Sequence, residues 1–463
     1  MTSVQIVKVH SEYRSVFSNR KFAILMLAMT VTILIDTSVV KVNDLIDKNF
    51  ISLQNRLVLF SINSLLCILL QFFIIRYIQA AFKGHKTHRT FMDKALPVIS
   101  LISLCVLGTL IGFLIFQLFF NGYYDAVVNI SIVAVSYGIS ATFIIWLSVL
   151  FLLWYKSRRS FIVFLYFVAM LAIAFNLIMT GAFVSAKVDD RPDHIGEFIG
   201  SSGDTSGGRH AFLDLIYRVS SFIAFFSIWI TTAILMNSYR EKLFNPVLFW
   251  IILSIPLIYF SITFFYQFTL GRLLFSYLQI DPITVSIILS AFLSLSKPIG
   301  GLVFGIAFWN VSRVVSYERN IKTYMIISGW GIFLIFAANQ QPDLQIVNPY
   351  PPFGLATVTV LNIAGYLMLL GIYNSASLVS MNNSLRKSIR KHAIKSNLLD
   401  LIGHAEMEKE IQKTVTEIIE SQDNLDVYRE REIELDEKEL RRYIDVVLKE
   451  VKREDKSSRS TSE

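Results

Sequence analysis

The chain has 463 residues, of which 54% are hydrophobic and only 17% are charged. Soluble domains carry about 25% charged residues, so this composition excludes an ordinary soluble globular protein. The formal net charge of +8 comes from basic connections between apolar runs, not from a basic module interleaved with aromatic residues. This distribution excludes a nucleic-acid-binding protein.

Apolar runs of about 20 residues recur along most of the chain, and each is long enough to cross about 30 Å of hydrocarbon. We predict an all-α polytopic membrane bundle of about ten transmembrane helices within residues 22–384, in contact with the lipid bilayer of a cell membrane. A short cytoplasmic helical tail at 385–452 and a polar, disordered terminus at 453–463 are predicted to follow. The predicted spans are 22–40, 57–80, 95–120, 127–154, 161–185, 211–237, 246–268, 282–309, 323–341 and 355–380.

The basic residues in the connections predict an orientation. Lys and Arg are about three times as frequent in one alternating set of connections as in the other, and the positive-inside rule assigns the richer set to the cytoplasm. The N-terminal segment 1–21 and the C-terminal tail both belong to the basic set. Both termini are therefore predicted to be cytoplasmic, which requires an even number of spans and agrees with ten.

Few ionisable side chains fall inside the predicted spans. Asp36 lies about 22 Å above the cytoplasmic start of the first span, at 1.5 Å per residue, and Arg218 lies at a similar depth in the sixth. Asp214 precedes Arg218 by four residues, a spacing at which opposite charges meet on a helix. We predict a network of these three residues in the outer half of the bundle, serving either as a structural ion pair or as a gate.

The eighth predicted span carries a lysine deep within an apolar run. Asp281 and Pro282 are typical of a helix start, an acidic N-cap followed by proline at the first helical position. Such a helix presents one face that is small, hydroxylated or charged, formed by Ser286, Ser290, Ser294, Lys297, Gly301 and Gly305. This face is expected to contact protein or a water-filled cavity instead of lipid. Alternatively, Pro298 breaks residues 282–315 into two shorter elements.

Lys297 is predicted to lie in the inner half of the membrane, about 22 Å from the outer start of its helix, where no span carries an acidic residue at the same depth. Three interpretations are open. The side chain extends to the cytoplasmic interface, or it bonds to carbonyls freed by Pro298, or it binds an anionic or carbonyl-bearing ligand or relays a proton. The candidate ligand or pathway residues are Lys297, Ser294, Ser290, Asn362 and Tyr366, with Asn176, Gln71 and Tyr373 as further neutral neighbours.

No pattern of catalytic or cofactor-binding residues occurs in the sequence. Cys67 and Cys105 lie in different predicted spans and cannot form a metal site by themselves. The seven histidines lie in connections or in the tail, where they cannot hold a haem inside the membrane. No nucleophile elbow, HExxH, P-loop or dinucleotide fingerprint is present. We therefore expect no enzyme, no metal and no cofactor.

The tail, residues 385–452, changes character along its length. Residues 385–395 form a basic amphipathic segment suited to lipid headgroups, and the chain then becomes acidic. Apolar residues at helical spacing from Met407 predict one amphipathic helix, and a capping box at Asp436 predicts a second. Two such helices cannot fold alone. We predict that residues 400–452 pack on each other as a coiled coil, on a second copy of the chain, or on a cytoplasmic protein.

A resemblance to known proteins is confined to residues 349–450. The stretches that carry it are PYPPFGLATVTVLNIAGYLMLLGIYNSASLVS and LLDLIGHAEMEKEI. They resemble a group of uncharacterised archaeal multi-pass membrane proteins that are similar to sensory membrane modules without a kinase domain. The resemblance implies a sensory role, and it implies no ligand and no functional residue.

The sequence predicts a receptor-like sensor or signalling adaptor, which couples a membrane or outer ligand to a cytoplasmic partner through its C-terminal helices. A secondary transporter that uses the Lys297 face is the first alternative, because a proline-broken polar helix is typical of transporter binding sites. A non-catalytic subunit of a larger membrane complex is the second alternative.

Overall fold

The computed structural model describes ten stretches of the chain, and all of their regular secondary structure is α-helix. The described residues are 20–45, 53–82, 91–122, 124–189, 209–237, 246–265, 295–314, 319–339, 351–381 and 398–426.

Eleven helices lie within these stretches and are numbered here in chain order. They are α1 (Arg20–Leu45), α2 (Leu53–Phe82), α3 (Phe91–Phe120), α4 (Ala126–Ser157), α5 (Phe161–Asp189), α6 (Arg209–Asn237), α7 (Pro246–Phe265), α8 (Ser296–Val314), α9 (Arg319–Ala338), α10 (Leu355–Met381) and α11 (Leu398–Asp426).

Eight of the described helices, α1 to α6, α9 and α10, are long and apolar enough to cross a membrane. In α7 the apolar segment is shorter, Trp250–Ile262. Large apolar side chains are exposed in rows along single helix faces, as with Leu65, Leu69 and Phe73 of α2. Such rows would be costly in water and are stabilised by lipid. The chain is therefore a multi-pass integral membrane protein, as predicted.

Each of the helices α1 to α10 overlaps one of the ten predicted spans, of which eight are long and apolar enough to cross a membrane, and α8 begins later than predicted. It starts at Ser296, and the Ile299 N–H donates to the Leu295 carbonyl oxygen at 3.0 Å. Pro298 lies in the first turn of α8, where its missing N–H breaks no intrahelical bond. This start agrees with the alternative of an element that begins near Pro298. The predicted pathway residues Ser290 and Ser294 lie outside the described residues, as does Ser286.

Helix α10 is the centre of the bundle. It packs against α1, α2, α3, α4 and α9, and its whole length is buried inside the protein. No large apolar side chain of α10 is therefore available to lipid except near its end at Met381, which is exposed. A helix that is apolar on all sides is typical of a protein core or of a membrane span.

Glycines allow α8, α9 and α10 to approach each other closely. A Cβ atom on Gly305 would lie 2.7 Å from the Gly329 carbonyl oxygen, and one on Gly329 would lie 2.8 Å from the Gly305 carbonyl oxygen. A Cβ on Gly301 would lie 2.6 Å from the Cβ of Phe336. The predicted polar face was expected to contact protein or a water-filled cavity, and at Gly301 and Gly305 it contacts protein. Backbone approach of this kind is a main source of helix association in membranes.

The chain divides into two compact units, residues 1–408 and 409–463. The first turns of α11 belong to the same unit as the bundle, and Leu398, Leu399 and Ile402 are buried there. In the second unit, the described residues 409–426 are helical. The early tail thus packs on its own bundle, an arrangement that the sequence did not predict.

Replacing Gly331 by Ala is expected to lower the thermal stability of the protein. The new Cβ would lie 2.6 Å from the Met368 backbone nitrogen and 3.0 Å from the Ala364 carbonyl oxygen, so α9 and α10 must separate. Overpacking of this kind costs about 1–3 kcal/mol. Gly112→Ala on α3 is the matched control, because a Cβ there meets nothing within 4 Å. Thermal unfolding in detergent measures both, and equal midpoints for the two variants would contradict the packing.

Candidate functional site

Lys297 is buried among aromatic side chains in the first turn of α8. Only 4% of its surface is exposed, and its Nζ donates to the Tyr217 hydroxyl oxygen at 3.1 Å. The same ammonium lies 5.1 Å from the centroid of the Tyr217 ring. Tyr217 therefore supplies a neutral hydrogen-bond acceptor, and the ammonium lies beside its ring at the hydroxyl end.

The Tyr217 ring belongs to a stack with a lysine at each end. Phe183 of α5 is parallel to Tyr217, with an interplanar angle of 2° and 5.3 Å between ring centroids. The Nζ of Lys187 lies 5.0 Å from the centroid of the Phe183 ring. The order is therefore Lys187, Phe183, Tyr217, Lys297, which we call the lysine–aromatic stack. Two positive charges are placed on one short column of neutral rings.

Lys297 lies in the other half of the bundle from the one predicted. Its partner Tyr217 directly precedes Arg218, which is at the end of the bundle predicted to face outward, called here the outer end. The prediction counted about four helical turns before Lys297, whereas α8 begins one residue before it. The Lys297 side chain is buried against Tyr217 and does not extend to an interface. The Lys297 hydrogen bond goes to Tyr217, and neither Asn362 nor Tyr366 is its partner.

A chain of hydrogen bonds joins four helices near Tyr217. The Asn339 Nδ2 donates to the Asn176 Oδ1 at 2.9 Å, and the Asn176 Nδ2 donates to the Ser220 Oγ at 3.1 Å. The Ser220 Oγ in turn donates to the Tyr217 carbonyl oxygen at 2.9 Å. At the other end, the Tyr137 hydroxyl lies 3.5 Å from the Asn339 Oδ1. These bonds fix the helical turn that carries Tyr217 against α4, α5 and α9.

The predicted ion pair between Asp214 and Arg218 is present, with 2.7 Å between the Asp214 Oδ2 and the Arg218 Nη2. The exposed fractions are 23% for the Arg218 side chain and 28% for the Asp214 side chain. Asp36 does not join them, because its carboxylate is bound to Thr357. The predicted network of three residues is therefore replaced by two separate sites.

Asp36 caps the N-terminus of α10. Its Oδ2 accepts from the Thr357 backbone N–H at 2.9 Å and from the Thr357 hydroxyl at 2.7 Å, and the side chain is 1% exposed. Thr357 is the third residue of α10, and Gly354, just before the helix, has φ = +90° and no side-chain oxygen. The acceptor that an N-cap residue normally provides therefore comes from α1. The carboxylate also lies at the positive end of the α10 dipole.

The sequence signal for this cap is weak but readable. A long apolar helix begins after Pro352, Phe353 and Gly354, none of which has a side-chain acceptor for its first N–H groups. A buried helix start without a local cap requires an acceptor from elsewhere. Asp36 is the single acidic residue of the predicted first span, and so was the natural candidate.

Asn362 and Tyr366 lie within the buried α10, away from Lys297. Neither the Nδ2 nor the Oδ1 of Asn362 has a hydrogen-bond partner among the described residues, although the side chain is fully buried. The Ser136 and Ser140 hydroxyls of α4 are also buried without a hydrogen-bond partner among the described residues. A Cβ on Gly365, one turn after Asn362, would lie 3.2 Å from the Ser140 Oγ. This part of the α4–α10 interface is therefore polar and incompletely bonded.

The C-terminal end of α4 binds the start of α11. The Trp154 Nε1 donates to the Glu406 Oε2 at 2.6 Å, and both side chains are buried. The Ser157 hydroxyl donates to the Glu408 Oε2 at 2.9 Å. A Cβ on Gly403 would clash with the Val379 side chain of α10, so these two helices are in close contact. We call this set of contacts the tail contact.

Within the described part of the chain, no group of three or more His, Cys, Asp or Glu side chains is arranged to hold a metal ion. Comparison of the chain with protein-family models, with curated proteins and with solved structures finds no match.

Replacing Asp36 by Ala is expected to destabilise the protein by about 2–4 kcal/mol, because the N-terminus of α10 loses a buried charged acceptor. Asp36→Asn is the matched control, since its amide oxygen still accepts from Thr357 and only the charge is lost. Thr357→Val removes the hydroxyl and leaves the N–H. In equilibrium unfolding, the free energy of unfolding should be highest for wild type, lower for Asp36→Asn and lowest for Asp36→Ala. An unchanged Asp36→Ala variant would contradict the cap.

Proposed function

We propose that this membrane protein is a receptor-like sensor or signalling adaptor, in which α10 transmits a change at the outer end to the tail. One observation carries the proposal. Helix α10 is buried along its whole length, with Asp36 on its first turn and Gly403 of α11 against its last turns. A single helix is thus in contact with both ends of the bundle.

Close packing makes α10 suited to this role. Glycines bring the α9 and α10 backbones together, and a Cβ on Gly371 would lie 2.6 Å from the Tyr324 carbonyl oxygen. Packed helices of this kind shift as units between discrete arrangements and do not deform continuously. A displacement at Thr357 would therefore be carried to Val379, which touches α11.

Through the tail contact, such a displacement would change the position of α11, which a cytoplasmic protein could detect. Trp154 and Ser157 hold the acidic residues Glu406 and Glu408 on the bundle. Separation of α10 from Gly403 would weaken the binding of α11 to the bundle. The buried face of α11 would then become available to a cytoplasmic protein. A ligand drives this change only if it binds the two arrangements with different affinity.

A secondary transporter is the second candidate. The observation that favours it is the incompletely bonded interface of Asn362, Ser136 and Ser140, because buried polar groups without partners are typical of substrate and ion pathways. The transporter and the sensor differ in the role of the tail. Transport requires no coupling between the outer end and α11, whereas sensing does.

Hydrogen exchange of residues 398–408 tests the sensor proposal. Asp36→Asn weakens the outer anchor of α10 without removing its acceptor, and exchange of this segment is expected to become faster, about tenfold for each 1.4 kcal/mol lost from the tail contact. Asp214→Asn is the matched control, since it removes a carboxylate charge near the outer end on α6 and does not touch α10. Equal exchange in wild type and Asp36→Asn would refute the sensor and leave the transporter.

A further inference from the structure

The buried Lys297 ammonium has no carboxylate as a hydrogen-bond partner among the residues that the structure describes. Lys297 has three N–H donors, and among the described residues one of them has an acceptor, the neutral Tyr217 hydroxyl. A buried ammonium is stable only when it is paired or well hydrogen-bonded. Tyr217 alone therefore leaves Lys297 short of partners.

The backbone of α8 increases this shortage. Lys297 is the second residue of a 19-residue helix, so its ammonium is attached to the end that already carries the positive part of the helix dipole. A cation is disfavoured at this position and an anion is favoured. The helix end and the lysine side chain thus favour the same kind of partner.

The neighbouring charges do not remove the excess. Lys187 adds a second positive charge at the other end of the stack. Asp214 is the one described carboxylate near Tyr217 on α6, and Arg218 already neutralises it at 2.7 Å. Asp214 and Arg218 together therefore add no net charge beside the protonated Lys297.

The site is within reach of the outer surface. Tyr217 lies eight residues from the start of α6, about 12 Å at 1.5 Å per residue. Asp214 and Arg218, one turn or less along the same helix, are 28% and 23% exposed. The site therefore lies about two helical turns from the start of α6, next to a partly exposed ion pair.

We propose that the first turn of α8 and the lysine–aromatic stack form a binding site for an anionic group, a carboxylate or a phosphate. The Lys297 ammonium and the Tyr217 hydroxyl bind its oxygens. The anion belongs either to a small solute or to a lipid headgroup, since both present the same oxygens. The proposal does not depend on the sensor function, because a bound anion serves a receptor and a transporter equally.

Anion-dependent thermal stability of the full chain tests this site. The protein is placed in phosphatidylcholine nanodiscs, and inorganic phosphate or acetate is titrated at constant ionic strength. Wild type is expected to gain stability in a saturable manner, because a ligand bound to the folded state raises the unfolding midpoint. In a parallel arm without added solute, phosphatidic acid replaces part of the phosphatidylcholine. A response in the first arm identifies a solute, and a response confined to the second identifies a headgroup.

Three variants separate the site from non-specific charge effects. Lys297→Met keeps the length of the side chain and is expected to lower the apparent affinity about 10- to 100-fold, as expected for a charged hydrogen bond. Tyr217→Phe should lower it about fivefold, the effect of one neutral hydrogen bond. Lys322→Met on α9 is the matched control, and it should retain the full saturable response because Lys322 is exposed and does not belong to the lysine–aromatic stack.

Two results would overturn the proposal. The first is a wild-type protein that responds to neither arm, or responds as strongly after Lys297→Met. The second concerns Asp281, the one acidic residue in the sequence between 266 and 294. If Asp281→Asn destabilises wild type but has no effect in the Lys297→Met background, the balancing charge is internal and no ligand is required.

Discussion

The buried hydrogen bonds between Asp36 and Thr357 are the constraint on which the arrangement of this bundle depends. Helix α10 has no lipid-facing side, so the N–H groups at its first turn cannot be satisfied by water or by the headgroup layer. The residues before it, ending in Gly354, offer no side-chain acceptor. The carboxylate of α1 supplies that acceptor, and thereby fixes the depth and the rotation of α10 relative to α1.

The position of α10 then determines much of the rest. Its glycines and those of α9 allow backbone contact, which in turn places α8 against α9 through Gly305 and Gly329. Because α8 is held in this way, Lys297 is brought against α6 and meets Tyr217. The C-terminal end of α10 lies against Gly403, so the same helix also sets the position of the first turns of α11. The outer site and the tail contact are thus connected through one central element.

Local features of this structure could be predicted from the sequence, and contacts distant in sequence could not. Hydropathy predicts the spans because each helix must be apolar over the thickness of the bilayer, and Asp214 pairs with Arg218 because both are on one helix four residues apart. Asp36 and Thr357 are 321 residues apart, and Trp154 and Glu406 are 252 apart. No periodicity in the chain links such positions. The predicted depth of Lys297 was wrong for a different reason. The prediction assumed that the helix starts at Pro282, whereas α8 begins at Ser296.

The central claim is that α10 couples the two ends of the bundle, and a double-mutant cycle tests it most directly. The two changes are Asp36→Asn at the outer end and Trp154→Phe in the tail contact, with free energies of unfolding measured singly and together. Distant, independent sites add to within about 0.3–0.5 kcal/mol. The account predicts a coupling energy above about 0.5 kcal/mol for this pair, and additivity when Asp214→Asn replaces Asp36→Asn. Additivity in both cycles would contradict the account.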